Sequence, residues 1–255
     1  MILNYKEFGQ GDPVIILHGL FGNLDNWQTI AKQLARDNWV FILDQRNHGR
    51  SPHVDEISYP LMAEDLKAFM DQHWIPKAHI IGHSMGGKTA MQFAFEYPDM
   101  VDKLVVVDIA PAENKTGHQA IFDALLSLPV EKITSRSEAE EGLKTKIEDH
   151  GVRQFLLKNL SRDKGNGYKW KMNLQAIHNN YQKILAAIKS DMPYDGESLF
   201  ITGALSDYVK AKEEKEIHQL FTSATIQNIE NAGHWVHADA PEELLNKVNA
   251  FLNQG

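Results

Sequence analysis

A serine between small residues, in the stretch Gly82-His-Ser84-Met-Gly86, is the side chain of this sequence best placed to act as a nucleophile. A predicted strand ends at Ile81 and a helical pattern begins near Met85. Ser84 would therefore lie at the tip of a sharp strand-to-helix turn, where glycines two positions away on each side leave room for a strained backbone. The helix amino terminus would bring the backbone N–H of Met85 towards a developing oxyanion.

Two further stretches supply the partners that such a serine needs. His18-Gly-Leu20-Phe-Gly22 follows the first predicted buried strand, and the backbone N–H of Leu20, or next that of Phe21, is our candidate for the second oxyanion donor. Asn231-Ala-Gly233-His234-Trp235 follows a late strand, on a loop from which His234 can accept the serine proton and later protonate the leaving group. We expect Phe21 and Trp235 to line the substrate pocket.

The acid that orients this histidine has two candidates. Asp108 ends a buried apolar strand, which directs its carboxylate towards the catalytic edge of the sheet. Asp207 follows the next strand of the sheet, where many hydrolases carry the acid in the register G-x-x-D-x-x-V. In Gly203-Ala-Leu-Ser206-Asp207-Tyr-Val209 the acid slot holds Ser206, and Asp207 comes one residue late. We therefore predict Asp108 and keep Asp207 as the alternative.

The same serine motif also fits a different chemistry. Residues 82–89 match the phosphate-binding pattern G-x-x-x-x-G-K-[ST] of P-loop nucleotide hydrolases, which would require binding of Mg-ATP that depends on Lys88. The serine interpretation is favoured because it predicts an oxyanion loop, an acid after a later strand and a histidine near the carboxyl end. All three are present, and the nucleotide interpretation leaves them unexplained.

Repeated strand–helix–strand units must position these residues. Short apolar runs alternate with amphipathic stretches up to about residue 110, and the alternation resumes with strands at 198–202 and 224–229. This order predicts an α/β fold with a mostly parallel central sheet and helices on both faces. In such sheets ligands bind at the carboxyl ends of the strands, where the candidate residues lie.

Residues 111–196 interrupt the alternation with several amphipathic segments and little strand signal. We predict a core domain formed by residues 1–110 and 197–255, and a mostly helical cap, residues 111–196, inserted over the carboxyl ends of the strands. The larger side chains of this segment suggest an apolar acyl pocket. They are Phe122, Leu126, Phe155, Trp170 and Tyr181.

Composition limits the partners of the chain. Its 26 Lys plus Arg against 34 Asp plus Glu give a formal net charge of −8, so no basic surplus indicates nucleic acid or an anionic membrane. The chain has no cysteine, which excludes disulfides, thiolate metal sites and thiol nucleophiles. His237, three residues after His234, would suggest a metal pair, but no further ligand is placed to complete it, and we predict no metal and no organic cofactor.

The amino terminus lacks the pattern of a signal peptide, and no apolar run approaches the ~18 residues that a membrane span needs. We expect a soluble, cytoplasmic protein without membrane insertion. Nothing in the sequence indicates an oligomeric state.

Together with Asp44-Gln-Arg-Asn-His-Gly-Arg-Ser51 and Val107-Asp-Ile-Ala-Pro111, these motifs resemble the α/β-hydrolase superfamily over essentially the whole chain. The chain most closely resembles the bacterial YbfF-type esterases. The resemblance implies a cap over the active site, the chain order serine, acid, histidine, and hydrolysis of acyl esters or thioesters. It also implies that the acid is the aspartate of Val-Asp-Ile-Ala-Pro, which is Asp108.

The resulting hypothesis is a serine hydrolase of carboxylic esters, or of acyl thioesters, acting on a small-molecule substrate. Ser84, His234 and Asp108 would form the triad, Leu20 and Met85 the oxyanion hole, and the reaction would pass through an acyl-enzyme. Two other classes stay open. One is the P-loop nucleotide hydrolase, and the other is a hydrolase-fold binding protein or receptor with little turnover.

Overall fold

The computed structural model describes residues 1–115, 117–165 and 167–254. Thr116 and Asn166, both within the predicted cap, and Gly255 lie outside the described residues. The strands are β1 (Tyr5–Phe8), β2 (Asp12–Leu17), β3 (Asn38–Leu43), β4 (Ala78–His83), β5 (Val101–Val107), β6 (Leu160–Arg162), β7 (Tyr168–Trp170), β8 (Ser198–Gly203) and β9 (Ala224–Ile229).

Seven of these strands form one sheet in the order β1-β3-β2-β4-β5-β8-β9. Only β1 runs antiparallel to its neighbour within this sheet; the remaining neighbours pair in parallel. β6 and β7 form a separate antiparallel pair. The mostly parallel sheet predicted from the sequence is confirmed, with an edge strand, β1, that the sequence patterns did not indicate.

The central strands are apolar on both faces because both faces are covered. Consecutive side chains of one strand belong to two different buried clusters, as Ile80 and Ile81 of β4 do. The helices that cover these faces and complete the fold are α1 (Gln28–Leu34), α2 (Tyr59–Gln72), α3 (Met85–Glu96), α4 (Gln119–Ser127), α5 (Arg136–Lys144), α6 (His150–Leu157), α7 (Leu174–Asn179), α8 (Tyr181–Leu185), α9 (Ala211–Leu220), α10 (Val236–Asp239) and α11 (Pro241–Leu252).

Helices lie on both sides of the sheet, as predicted. Apolar residues of α2, α3 and α9 pack into one buried cluster, and those of α1 and α11 pack into the other. Three short 3-10 helices (Leu24–Trp27, Pro98–Met100 and Val130–Lys132) join these elements. Within the described residues, no helix is both long and apolar enough to cross a membrane.

Residues 111–196, called the inserted segment below, contain α4 to α8 and the β6–β7 pair. They contact the loop that follows β2, where Asn159 Nδ2 donates a hydrogen bond of 2.5 Å to the carbonyl of Phe21. Asn23 Nδ2 in turn donates to the Asn159 side-chain oxygen at 3.0 Å. These contacts bring part of the inserted segment to the carboxyl edge of the sheet.

Candidate active site

Ser84 lies between β4 and α3 with a backbone that side-chain-bearing residues rarely adopt. Its φ is 52° and its ψ is −119°, a strained conformation of the kind that costs on the order of 1–3 kcal/mol. The Ser84 N–H donates to the carbonyl of Val107 at 3.0 Å, which ties the turn to the neighbouring strand β5. A Cβ at Gly86 would collide with the carbonyls of Leu17 and His18, so the glycine permits α3 to approach the loop after β2.

His234 lies on the loop between β9 and α10, within hydrogen-bond distance of two other candidate residues. Its Nε2 is 3.0 Å from Ser84 Oγ, and its Nδ1 is 2.7 Å from Asp108 Oδ2. The Asp108 side chain is fully buried. Ser84, His234 and Asp108 are therefore brought together into one continuous chain of hydrogen bonds.

Asp108 is held by backbone on both sides. Its own N–H donates to the carbonyl of Ile201 at 2.8 Å, and its Oδ1 accepts from the N–H of Gly203 at 3.0 Å. Ser206 Oγ donates to its Oδ2 at 2.5 Å. These bonds fix the orientation of the Asp108 carboxyl group towards His234.

The alternative acid, Asp207, lies elsewhere. Its side chain is 91% exposed and pairs with Lys210 Nζ at 2.8 Å, a hydrogen bond that lowers the pKa of the Asp207 carboxyl. The residue before it, Ser206, contacts Asp108 instead. The sequence analysis named Ser206 only as the residue at the usual position of the acid. That position is what could have indicated that Ser206 contacts the acid.

Neutral histidines surround His234. His83 Nε2 is 2.8 Å from the carbonyl of His234; because a carbonyl only accepts, this nitrogen carries the proton. Burial holds the pKa of His83 well below its usual range, and burial together with nearby His234 lowers the pKa of His237 to about 3. The Trp27 ring stacks on His237 at 4.7 Å and is buried, so Trp27 belongs to the core.

Tyr208 is a neighbour of His234 that the sequence did not reveal. Its ring stacks on the His234 ring with centroids 3.9 Å apart. Its hydroxyl is 3.4 Å from Nε2 of His118, whose Nδ1 is 2.8 Å from the hydroxyl of Tyr181. Burial raises the pKa of Tyr208 to about 12, so this hydroxyl keeps its proton. The network joins the inserted segment to the His234 ring.

Two cavities meet at Ser84. The first, called the Lys88 cavity, is also lined by Met85, Lys88, Tyr59 and Ile184. The second, called the Trp235 cavity, is also lined by His234, Trp235, Phe155, Val152 and Ile121. Both cavities share Ser84, Leu20 and His118.

The predicted binding residues divide between these cavities. The oxyanion candidate Met85 lines the Lys88 cavity, the other oxyanion candidate Leu20 lines both cavities, and the pocket candidates Phe21 and Trp235 line the Trp235 cavity. Of the side chains expected to build an acyl pocket, Tyr181 lines the Lys88 cavity and Phe155 the Trp235 cavity. Three are placed differently: Phe122 is fully buried, Leu126 is exposed in the last turn of α4, and Trp170 ends β7.

Lys88 does not face a phosphate site. Its buried ammonium donates to three backbone carbonyls of the inserted segment, at 2.7 Å from Ala112, 3.2 Å from Leu185 and 2.7 Å from Ala186. When Lys88 is protonated, each of its three N–H groups thus has an acceptor, which disfavours the nucleotide interpretation. Among the residues that the structure describes, no group of three or more histidine or acidic side chains could hold a metal ion.

Comparisons with known proteins identify the family of this chain. Residues 12–241 match a family model described as alpha/beta hydrolase fold. An sn-1-specific diacylglycerol lipase of Danio rerio is 40% identical over 98% of this chain and 82% of its own length. The esterase YbfF of Escherichia coli is 36% identical over 94% of this chain and 93% of its own length.

Solved structures show the same likeness. A marine microorganism esterase is 42% identical and superposes with a TM-score of 0.96, covering 98% of each chain. E-2-(Acetamidomethylene)succinate hydrolase, at 19% identity and a TM-score of 0.79, is similar in fold alone.

Proposed function

The chain belongs to the α/β-hydrolase family and is a carboxylic ester hydrolase, and we propose that it acts through Ser84, His234 and Asp108 with an acyl-enzyme intermediate. The resemblance to YbfF-type esterases drawn from the sequence motifs is confirmed by the identity to that protein over most of the chain. The observation that carries the triad proposal is the hydrogen-bond chain from Ser84 Oγ through both nitrogens of His234 to Asp108.

Acylation begins when Ser84 Oγ attacks the ester carbonyl and His234 Nε2 takes its proton. The imidazolium that forms is stabilised by the carboxylate of Asp108, which the Gly203 N–H and Ser206 Oγ hold in place. We assign the backbone N–H groups of Leu20 and Met85 to the developing oxyanion, because α3 begins at Met85 and packs against the loop that carries Leu20.

Collapse of the tetrahedral intermediate breaks the bond between the carbonyl carbon and the leaving oxygen. His234 Nε2 returns the proton to that oxygen, and the alcohol departs. A water molecule then attacks the carbonyl carbon of the acyl-enzyme while His234 accepts its proton. The bond to Ser84 Oγ breaks, His234 returns the proton to Oγ, and the carboxylic acid leaves. The same steps apply to a thioester, in which a thiol leaves, and both substrate types belong to the proposal.

The inserted segment, residues 111–196, acts in this proposal as a cap over the site. His118, Ile121 and Phe155 from this segment line the cavities that meet at Ser84, so it shapes the space around the scissile bond. The substrate is a small-molecule acyl ester. This fits relatives whose names describe an esterase and a diacylglycerol lipase. The cytoplasmic location stays a prediction.

The acyl-enzyme can be trapped during turnover. Acid quenching with a 4-nitrophenyl ester present should give protein heavier by one acyl group, on the peptide that contains Ser84. Two esters that share an acyl group should also partition between water and added methanol in the same ratio, because they form one common intermediate. A ratio that depends on the alcohol, with no acylated peptide, would contradict the proposal.

A further inference from the structure

The two cavities at Ser84 differ in which reacting group they contain. His234 lines the Trp235 cavity, whereas Met85, the residue that follows the nucleophile, lines the Lys88 cavity. Leu20 and His118 lie between them, since both cavities share these residues. The tetrahedral carbon bonded to Ser84 carries two diverging substituents, the acyl chain and the alkoxy group, and each cavity can take one.

The position of the group that protonates the departing alcohol indicates which cavity takes the alcohol part of the ester. His234 Nε2 must be within hydrogen-bond reach of the leaving oxygen to protonate it. We propose that the alcohol part of the ester occupies the Trp235 cavity and the acyl part occupies the Lys88 cavity. This assignment rests on the proposed function and adds the orientation of the ester between the two cavities.

The side chains that line the Trp235 cavity indicate which kind of alcohol it binds. Ile121 of α4, Val152 and Phe155 of α6 and Trp235 are apolar, and the Phe155 and Trp235 rings pack 5.7 Å apart. These side chains are partly exposed. Apolar walls of this kind bind an alkyl or aryl alcohol better than a small polar one.

The Lys88 and Tyr59 side chains of the Lys88 cavity limit the acyl group. Lys88 is fixed there by the carbonyls of Ala112, Leu185 and Ala186, and the Tyr59 hydroxyl donates to the carbonyl of Ile184 at 2.5 Å. An acyl chain that extended past Lys88 and Tyr59 would have to break these hydrogen bonds and leave buried polar groups unpaired, which is unfavourable. The substrate class is therefore an ester that joins a compact acyl group to an apolar alcohol.

Two ester series test the assignment, one varying the acyl length with 4-nitrophenol as the alcohol and one varying the alcohol with acetate as the acyl group. Wild type, Ile184→Ala and Phe155→Ala form a matched set, because each variant shortens one apolar wall residue of the inserted segment. The readout is kcat/KM across each series, taken as a ratio to the smallest member.

Ile184→Ala should raise the ratio for long acyl chains about tenfold and leave the alcohol ratios within about twofold. Phe155→Ala should lower the ratio for hexyl and naphthyl alcohols about tenfold and leave the acyl ratios within about twofold, as expected for one truncated apolar contact. If either alanine variant fails to fold, Ile184→Val and Val152→Ala repeat the comparison with smaller changes.

The assignment would be overturned if Ile184→Ala changed the alcohol series and Phe155→Ala the acyl series, or if each variant changed both series equally. Labelling of Ser84 by a fluorophosphonate separates that failure from a failure of the proposed function. Labelled, active enzyme with exchanged profiles refutes the cavity assignment alone. Wild type that is neither labelled nor active refutes the proposed function and the assignment with it.

Discussion

The loops at the carboxyl edge of the sheet and the inserted segment both reach Ser84, but they are held in different ways. The loops are fixed by backbone hydrogen bonds to neighbouring strands, such as Ser84 N–H to the Val107 carbonyl and Asp108 N–H to the Ile201 carbonyl. The inserted segment is fixed to this region mainly through side chains, above all Lys88 and Asn159, beside a backbone hydrogen bond of 2.8 Å from the Asn173 N–H to the Asn47 carbonyl.

This difference implies that the sheet edge controls the rate of the reaction and that the inserted segment controls substrate preference. Reacting groups attached to the sheet inherit its rigidity, since a buried strand end cannot move without losing several backbone hydrogen bonds. The walls contributed by the inserted segment depend mainly on side-chain contacts, such as those of Lys88. Substitutions at the sheet edge should therefore change the rate of the reaction, and substitutions in the inserted segment should change its preference or local stability.

Loss of the nucleophile should have the largest effect. Ser84→Ala removes only Oγ and should lower kcat by ~10³-fold or more while the fold is retained. The measurement is steady-state hydrolysis of 4-nitrophenyl acetate, with circular dichroism to compare the folded state. A kcat within tenfold of wild type would show that the sheet edge does not supply the nucleophile.

The two aspartates give the next comparison. Asp108→Asn should reduce kcat by two to four orders of magnitude, because an amide cannot stabilise the imidazolium and can favour the wrong tautomer of His234. Asp207→Asn, the matched control on the exposed loop, should change kcat less than about twofold. The measurement is kcat of both variants, and a larger loss of kcat in Asp207→Asn than in Asp108→Asn would reverse the assignment of the acid.

Acid should destabilise the sheet edge. Burial lowers the pKa of His18 to about 4, and burial with neighbouring His18 lowers that of His48 to about 3. Both lie below the value of about 6.5 in the unfolded chain, so the unfolded state binds more protons between these values. The free energy of unfolding should fall below about pH 6.5, by up to ~1.4 kcal/mol per pH unit for each such histidine.

Urea unfolding from pH 7.5 to 5.5 measures this slope. His48→Gln should flatten it, whereas His218→Gln, which changes an exposed histidine of α9, should leave it as in wild type. Equal slopes for all three proteins would mean that the buried histidines do not stay neutral.

Lys88, which holds the inserted segment, should contribute more to stability as the pH rises above 7. Burial lowers the pKa of Lys88 to about 7, below the value of 10.5 in the unfolded chain. Between these values the unfolded chain binds more protons, so the contribution of Lys88 to stability rises as the pH rises. The unfolding free energy of wild type minus that of Lys88→Met should increase from pH 7 to 10, by at most ~1.4 kcal/mol per pH unit.

Lys183→Met, at an exposed position of α8, is the matched control and should give a flat difference over the same range. A flat or falling difference for Lys88→Met would contradict the pH dependence assigned to Lys88.

The sequence predicted the sheet edge better than the inserted segment. Buried parallel strands leave continuous apolar runs, and those of β4 and β5 lead directly to Ser84 and Asp108, so these two residues could be placed from local patterns. The strands β1, β6 and β7 were missed because they are short and lie at the edge of the sheet or outside it.

Contacts between distant residues account for most of what the sequence did not reveal. The stacking of Tyr208 on His234 depends on the conformations of two loops, and no local pattern encodes it. Lys88 matched a phosphate-binding motif, yet its acceptors, Ala112 and Ala186, lie 24 and 98 residues away along the chain. A motif fixes which residues are present, and the tertiary fold decides what they contact.

The central claim, that Ser84 is activated by His234 at the sheet edge, is tested most directly by the intact mass after incubation with a fluorophosphonate. Wild type should gain the mass of one adduct, and Ser84→Ala, folded to the same extent, should gain none. Folded wild type without an adduct, or an adduct that persists in Ser84→Ala, would contradict the claim.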